Sequence, residues 1–321
     1  MRKTNFFERK GPFSINSLFK NLKLKKKNIF DIKDLKSATN NDLTFLDSLD
    51  YINIAKNTQA FVCLTTEKLK KYLPANCEPI IVGNVLFELC KVIRIFYPGA
   101  DLDIPDGTLE KPKRLNNLNI KFGKNVLVGK NSKIGKNSFI GSNTIIEHNV
   151  LVGDNCIVGS QVVIRNSLIG KNVVVQDGCK IGLKGFGFIP LKNKNLRFPH
   201  IGKVVLKNNA EIGSNCTIDR GSIGDTIIGK NTFLDNQVHV AHNIKIGDNC
   251  MIAGQVGFAG SSIIGDNVSI GGQAGVSGHL KIGNNVKIGG GSGVINNLPD
   301  GSIVMGYPAV SLKEFIRKSK K

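Results

Sequence analysis

Residues 228–252 read IGKNTFLDNQVHVAHNIKIGDNCMI, and a large apolar residue recurs at every sixth position. A period of six fits neither an amphipathic helix nor a simple alternating strand. It predicts a mainly β fold, a left-handed parallel β-helix with three hexapeptides per coil, in which each short strand sends one apolar side chain inward. The register holds at Ile228, Leu234, Val240, Ile246, Ile252, Phe258, Ile264, Ile270, Val276, Ile282, Ile288 and Val294. An earlier register runs through Val128, Ile134, Ile140, Ile146, Val152, Val158 and Ile164, and resumes after a slip of one residue at Ile169.

Two further positions of the hexapeptide accept only a few residue types. Glycine usually follows the apolar residue, and we expect it to supply the unusual backbone dihedrals of the turns. The fourth residue after the apolar one is small or β-branched, which predicts a second inward position. Cys156, Cys179, Cys216 and Cys250 fall there and are predicted to be core residues without a redox role. The seven cysteines include no C-x-x-C pair, which argues against a disulfide framework and a thiolate zinc site.

The repeat also divides the chain. Residues 1–102 are predicted to form a small α/β domain with strands at Ala60–Leu64 and Pro79–Gly83 and a helix over Val85–Phe96 capped by Asn84. Residues 103–298 form the β-helix, and residues 299–321 form a short C-terminal tail with amphipathic helical spacing. The period fails at residues 182–204, and we expect this aromatic and basic excursion to project from the coil.

Composition limits the partners and the location. The formal net charge is +20, which favours an anionic partner or reflects solvated lysines. Tryptophan is absent and tyrosine is scarce, so nucleic acid is the weaker candidate among charged partners. No apolar run reaches the ~18 residues of a membrane span, and the N-terminus lacks the apolar region of a secretory signal. We therefore predict a cytoplasmic protein that does not span the membrane and is at most peripheral at its inner face.

His239 and His242 lie in the quoted stretch. The H-x-x-H spacing is compatible with zinc, but His279 lies two coils further along and no third ligand from the same chain obviously converges, so no metal site is predicted. Neutral imidazole, with a pKa near ~6.5, suits a general base, and Asp235 lies one hexapeptide before His242, where it could orient the ring. A surface histidine on the face of a solenoid is the alternative that the residues alone leave open.

Several motifs together resemble one enzyme family. They are Asn41–Tyr51 (NDLTFLDSLDY), Lys184–Phe188 (KGFGF), Cys216–Gly229 (CTIDRGSIGDTIIG), Asp235–Asn243 (DNQVHVAHN), Ala253–Ser261 (AGQVGFAGS) and Val276–Gly283 (VSGHLKIG). In this order they are similar to the UDP-3-O-(3-hydroxyacyl)glucosamine N-acyltransferases of lipid A biosynthesis, and the resemblance covers nearly the whole chain.

The resemblance implies an acyltransferase without a cofactor of its own. An (R)-3-hydroxyacyl chain would move from the phosphopantetheine thioester of acyl carrier protein to the 2-amino group of UDP-3-O-acyl-glucosamine. His242 would be the general base, Asp235 would support it, and the N–H of Gly260 would stabilise the oxyanion. The enzyme would be a homotrimer with sites between neighbouring β-helices.

The resemblance also assigns substrate contacts. Asn236 and His279 are expected near the sugar nucleotide, and Phe45 and Tyr51 match the aromatic pair that holds uracil in this family. His239 stands where the family often has Gln, and we expect it to contact the substrate. The C-terminal tail is shorter than in many relatives, and we expect fewer contacts to acyl carrier protein through it.

Two other functions are considered. The UDP-N-acetylglucosamine O-acyltransferases of the same pathway lack such an N-terminal domain and carry a C-terminal helical one, so the domain order argues against them. A β-helix that binds sugar nucleotides without catalysis belongs to a different class, which an acylation assay would separate. The preferred acyl-chain length does not follow from the sequence.

Overall fold

The structure, a computed structural model, describes residues 6–19, 27–112 and 118–320. It divides into two compact units. One consists of Phe7–Asp103 together with Gly187–Ile201, and the other is built mainly from Ile104–Phe186 and the residues from Gly202 onward. The sequence placed the domain boundary at residues 102 and 103.

The second unit is a parallel β-helix with three sheets, here called faces 1, 2 and 3 in chain order. Successive coils are 18 residues apart over most of the coil, as in the pairing of Ile252 with Ile270. The predicted mainly β architecture is therefore confirmed, together with its three hexapeptides per coil. Face 1 contains Lys121–Phe122, Phe139–Ile140, Ile157–Val158, Val174–Val175, Glu211–Ile212, Phe233–Leu234, Met251–Ile252, Ser269–Ile270, Lys287–Ile288, Ile303–Met305 and the antiparallel Val310–Ser311. Face 2 contains Leu127–Val128, Ile145–Ile146, Val163–Ile164, Lys180–Lys184, Thr217–Arg220, His239–Val240, Gly257–Phe258, Gly275–Val276 and Gly293–Val294. Face 3 contains Lys133–Ile134, Leu151–Val152, Ser167–Ile169, Val204–Leu206, Thr226–Ile228, Lys245–Ile246, Ile263–Ile264 and Lys281–Ile282.

Asparagine, more often than glycine, occupies the left-handed turn positions of the coil. Asn137 and Asn155 have φ of 58° and 56°, a region that asparagine tolerates better than most residues. The glycine after each apolar residue serves close approach between coils, since a Cβ at Gly135 would lie 2.4 Å from the carbonyl oxygen of Gly153. The expectation that these glycines supply unusual dihedrals was therefore wrong for most of them, since their φ lies outside the left-handed region; Gly182, with φ of 83°, is an exception.

The interior of the coil is apolar, and the four cysteines assigned to it are completely buried: Cys156, Cys179, Cys216 and Cys250. Their thiols reach backbone carbonyls of the next coil, as Cys156 Sγ does at 3.1 Å from the oxygen of Gly170. Burying one aliphatic side chain contributes about 1.5–3 kcal/mol, so the stacked inward positions account for much of the stability of the coil.

The first unit contains a four-stranded parallel sheet of Asp31–Ile32, Asp42–Leu46, Val62–Thr65 and Glu78–Ile81. The helix Val85–Phe96 follows, and its N-cap is Asn84, whose side chain accepts a hydrogen bond from Phe87 N–H at 3.0 Å, as the sequence predicts. The remaining elements are the strands Phe13–Ser14 and Asn28–Ile29, the helices Ile15–Leu18 and Ile52–Ala55, and the 3₁₀ turns Leu49–Tyr51 and Lys70–Tyr72.

The excursion at residues 182–204 contains an antiparallel hairpin, Phe188–Leu191 with Lys194–Arg197. This hairpin belongs to the first unit, where Arg94 donates a hydrogen bond to the carbonyl of Arg197 at 3.1 Å. At the other end of the chain, Ser311 caps the helix Leu312–Ser319 by accepting a hydrogen bond from Glu314 N–H at 3.3 Å. None of the helices in the described ranges combines the length and apolarity needed to cross a bilayer.

Candidate functional site

Three turns of the coil stack where face 2 meets face 3, and we call this edge the His242 corner. It consists of residues 241–243, 259–261 and 277–279. Ser261 N–H donates to the carbonyl of His242 at 3.0 Å, and His279 N–H donates to the carbonyl of Gly260 at 3.1 Å. The hexapeptide repeat therefore places His242, Gly260 and His279 together, although 37 residues separate the two histidines in the sequence.

The imidazole of His242 is half-buried between hydrogen-bond acceptors. Its Nδ1 lies 3.0 Å from Oδ1 of Asn243, and the backbone of Phe186 is a second acceptor beside the ring. Burial lowers the pKa of His242 below its ordinary value, and the neighbouring His279 lowers it further, while Asn243 and Phe186 act in the opposite direction. The ring is therefore neutral at physiological pH and able to take a proton. Sequence reasoning assigned no role to Asn243 or Phe186, and their place in the quoted motifs was the only signal.

Gly260 lies against that ring, and its N–H lacks a cap that several other corners have. At those corners the equivalent N–H donates to a side chain from the next coil, as when Lys136 N–H donates to Asp154 at 3.2 Å and Asp248 N–H donates to Asp266 at 2.7 Å. The residue one coil beyond Gly260 is Gly278, which has no side chain. Among the described residues no group caps the Gly260 N–H, so a substrate oxygen can receive it.

Asp235 and Asn236 lie at a different edge, where face 1 meets face 2. The carboxylate of Asp235 accepts the N–H of Asn236 at 2.7 Å, and Oδ1 of Asn236 accepts the N–H of Ser214 at 2.8 Å. Within one chain the strand His239–Val240 separates this edge from His242. The support of His242 by Asp235 stays a prediction, as does contact of Asn236 with the sugar nucleotide.

A groove of about 780 Å³ runs along face 1 beside Asp235. Phe233, Met251, Ile270 and Leu312 contribute to its lining. The outward side chains of this face are unusually apolar for a solvent-facing sheet, since Met251 is 60% exposed and Phe233 is 46% exposed.

His239 points outward from face 2. Its Nδ1 lies 2.7 Å from the hydroxyl oxygen of Thr217. Part of the ring reaches solvent, but the surrounding protein lowers its pKa, and His242 lowers it further. His279 is exposed at its turn, with φ of 62°. Their predicted contacts with the substrate stay predictions.

The predicted uracil clamp lies in the first unit. Phe45 is half-buried on the strand Asp42–Leu46, and Tyr51 ends the 3₁₀ turn and packs against a core cluster that includes Leu46 and Ala55. Ser48 caps this turn, with its hydroxyl accepting Asp50 N–H at 3.2 Å. Across residues 6–19, 27–112 and 118–320, no three His, Cys, Asp or Glu side chains are grouped so that they could hold a metal ion.

Comparison with known proteins gives matches to both units. Residues 27–95 match the family model described as UDP-3-O-(3-hydroxymyristoyl) glucosamine N-acyltransferase, LpxD. Residues 131–166 and 225–260 match the bacterial transferase hexapeptide model.

Curated relatives cover more of the chain. UDP-3-O-acylglucosamine N-acyltransferase 2 of Legionella pneumophila strain Paris is 40% identical over 256 residues, which are 77% of this chain and 74% of the relative. The UDP-3-O-acylglucosamine N-acyltransferases of Leptospira biflexa and Rickettsia bellii are each 41% identical, over 70% and 68% of this chain and 64% and 65% of their own lengths.

Solved structures share the β-helix. LpxA from Acinetobacter baumannii superimposes with a TM-score of 0.54 at 27% identity, over 62% of this chain and 78% of that one. The UDP-N-acetylglucosamine acyltransferase of Francisella novicida gives a TM-score of 0.55 at 26% identity, over 62% of this chain and 73% of that one.

Proposed function

The chain belongs to the UDP-3-O-acylglucosamine N-acyltransferase family, and on this premise we propose how its own residues perform the reaction. The enzyme moves an (R)-3-hydroxyacyl chain from the thioester of acyl carrier protein to the 2-amino group of UDP-3-O-acyl-glucosamine. His242 acts as the general base, and the N–H of Gly260 acts as the oxyanion donor.

One observation carries this proposal, namely the contact between Gly260 and the ring of His242. A Cβ at position 260 would lie 2.6 Å from Cε1 of the imidazole, so the ring lies directly against the α-carbon of the residue that carries the uncapped N–H. Amide formation from a thioester needs a base near the attacking nitrogen and a donor near the thioester oxygen. The His242 corner offers both on residues that contact each other across adjacent coils.

The proposed steps balance without a covalent enzyme intermediate. The amine nitrogen attacks the thioester carbon, Nε2 of His242 takes one proton from that nitrogen, and the oxyanion accepts the Gly260 N–H. Collapse of the tetrahedral intermediate breaks the C–S bond and releases the pantetheine thiolate. The protonated imidazole returns its proton to the sulfur, which restores the neutral base.

In this proposal Asp235 contributes to the active site of a neighbouring subunit in a homotrimer. The apolar outward side chains of face 1, with Phe139, Ile157, Phe233 and Met251 among them, favour burial against a second copy of the chain. If the His242 corner of one subunit lies beside the Asp235 edge of its neighbour, the carboxylate can stabilise the imidazolium that forms during the reaction, even though a strand separates the two residues within one chain.

Charge supports the choice of donor and acceptor. The chain carries a formal net charge of +20, while acyl carrier protein and the diphosphate of the acceptor are anionic, so both are attracted to the protein. Lys313, Arg317 and Lys318 of the C-terminal helix add exposed cations to the β-helical unit. We assign the uracil to Phe45 and Tyr51 in the first unit, where stacking on aromatic rings would bind the base.

The test is an acylation assay with the purified protein. We expect 3-hydroxyacyl transfer from acyl carrier protein to UDP-3-O-acyl-glucosamine, detected as a new amide by mass spectrometry, and no comparable transfer to UDP-N-acetylglucosamine. His242→Ala should reduce turnover by about 10²–10⁴-fold with a nearly unchanged melting temperature. Binding of the UDP-sugar without any transfer would contradict the proposal and favour a non-catalytic module, and ester formation on UDP-N-acetylglucosamine would favour an O-acyltransferase.

A further inference from the structure

We propose that Asn243 is a positioning residue that holds His242 in the tautomer with the proton on Nδ1, so that the lone pair of Nε2 faces the substrate amine. The inference rests on the proposed role of His242 as the base and adds what sets its protonation geometry. A neutral imidazole can act as a base only through the nitrogen that lacks a proton, so the choice of tautomer decides whether the ring is competent.

The orientation of the Asn243 amide follows from its partners. Its Oδ1 accepts the backbone N–H of Ser222 at 3.0 Å and the hydroxyl of Ser222 at 2.8 Å, while its Nδ2 donates to the carbonyl of Gly224 at 3.2 Å. A backbone N–H can only donate and a backbone carbonyl can only accept, so the oxygen and the nitrogen of this amide cannot be exchanged. The atom facing Nδ1 of His242 is therefore an oxygen, and this contact is a hydrogen bond only when Nδ1 carries the proton.

The supporting segment is an insertion in the coil. Thr217 pairs with His239, 22 residues later, whereas the equivalent strands elsewhere are mostly 18 residues apart. The added length contains the turn from Gly221 to Gly224, which carries the groups that bind the Asn243 amide. This turn is tightly closed, since a Cβ at Gly221 would lie 1.7 Å from the carbonyl oxygen of Gly224 and 3.1 Å from Nδ2 of Asn243. The backbone of Asn243 is fixed as well, because its N–H donates to the hydroxyl of Thr226 at 2.9 Å.

The other groups at the ring are consistent with this arrangement. The backbone carbonyl of Phe186 is the second acceptor beside the imidazole, and it can stabilise the proton that Nε2 takes from the amine. His279 is the neighbouring titratable group, and Gly260 contacts the ring edge. An amide at 243 accepts the Nδ1 proton without adding a negative charge, whereas a carboxylate would stabilise the imidazolium and keep more of the base protonated.

The test compares three variants with the native enzyme. Asn243→Gly removes the amide but tolerates the left-handed backbone, since Asn243 has φ of 62°. Asn249→Gly is the matched control, because Asn249 has φ of 58° at another corner and its amide accepts a hydrogen bond from Asn231. Asn243→Asp keeps an acceptor for Nδ1–H. Enzyme labelled with ¹⁵N-histidine reports the tautomer by NMR, with the His242 signals assigned by their loss in His242→Ala.

We expect the native spectrum to show His242 protonated on Nδ1, and Asn243→Gly to show a mixed or reversed tautomer. Asn243→Gly should lower kcat by about tenfold or more while KM for the UDP-sugar changes little, and Asn249→Gly should retain native kcat. Asn243→Asp should recover kcat at alkaline pH, with the acidic limb of its pH profile moved to higher pH. A native tautomer, native kcat and native pH profile in Asn243→Gly would overturn the inference. Full activity of His242→Ala would instead overturn the proposed function on which it rests.

Discussion

Gly260 and His242 occupy the same corner of adjacent coils so closely that a Cβ at residue 260 would lie 2.6 Å from Cε1 and 2.8 Å from Nε2 of the imidazole. This distance is far below van der Waals contact, so the absence of a side chain at 260 is a condition for the observed position of the ring. The relationship is a steric one and does not depend on the N–H of Gly260.

Gly260→Ala should therefore abolish most turnover although it retains the backbone N–H. The methyl group must displace the His242 ring from Asn243, and a loss of about 10²-fold or more is expected when a general base is misplaced. The measurement is kcat together with the histidine NMR spectrum, and Gly107→Ala, where no atom lies within 4 Å of the added Cβ, is the control. Native turnover in Gly260→Ala would show that the ring position is not needed for the reaction.

The uncapped N–H can be tested separately at Gly278. Gly278→Ser introduces a hydroxyl that can accept the Gly260 N–H, as Ser142 Oγ accepts the N–H of Lys124 at 3.0 Å from the adjacent coil at another edge of the β-helix. Gly278→Ala is the matched control, because both variants add the same Cβ at 3.0 Å from the carbonyl oxygen of Gly260 and only one adds an acceptor. We expect kcat of the serine variant to fall below that of the alanine variant by about 10²-fold, the effect of losing one oxyanion donor. Equal kcat values would argue against Gly260 as that donor.

The sequence predicted much of this architecture, because the coil is built from a short local repeat. The position of each inward residue therefore follows from its place in the hexapeptide. The cap of Asn84 was predictable for the same reason, since it lies three residues from its partner. The role of Asn243 was not predictable, because it depends on a turn near Ser222. That turn lies about one full coil earlier in the chain, and only the folded coil brings it into contact with Asn243. The association of the hairpin with the first unit was likewise hidden, since Arg94 and Arg197 lie 103 residues apart.

Mixed trimers test whether Asp235 and His242 meet across a subunit boundary. Asp235→Ala and His242→Ala chains should each be strongly impaired alone, but their coexpression should restore activity. In a random mixture about a quarter of the interfaces would join a native His242 to a native Asp235. Turnover of the mixture is the measurement, and light scattering checks that the species are trimers. An active monomer, or a mixture no more active than its components, would contradict the composite site.

The uracil assignment predicts a loss of binding with little change in chemistry. Phe45→Ala and Tyr51→Ala should each weaken binding of the UDP-sugar by roughly 1–3 kcal/mol, the range for one base-stacking partner, while turnover at saturation changes much less. Calorimetry gives the affinity and thermal melting gives the stability. Tyr51 packs beside the buried Leu46 and Ala55, so an unfolded Tyr51→Ala would identify this ring as core and contradict its place in the clamp.

His239 and His242 should have separable roles that differ in their response to pH. Burial and the neighbouring His242 lower the pKa of His239 in the free enzyme, and a bound diphosphate should raise it, because an adjacent anion favours the imidazolium. Between these two pKa values, binding takes up a proton, so affinity is highest at low pH and falls as pH rises through that window. Glutamine at 239 keeps a hydrogen-bond donor that does not titrate. His239→Gln should therefore retain most turnover and flatten the pH dependence of KM, whereas His242→Gln should abolish turnover at every pH. If His239→Gln is as inactive as His242→Gln, the two histidines act as one catalytic unit and the division of roles is wrong.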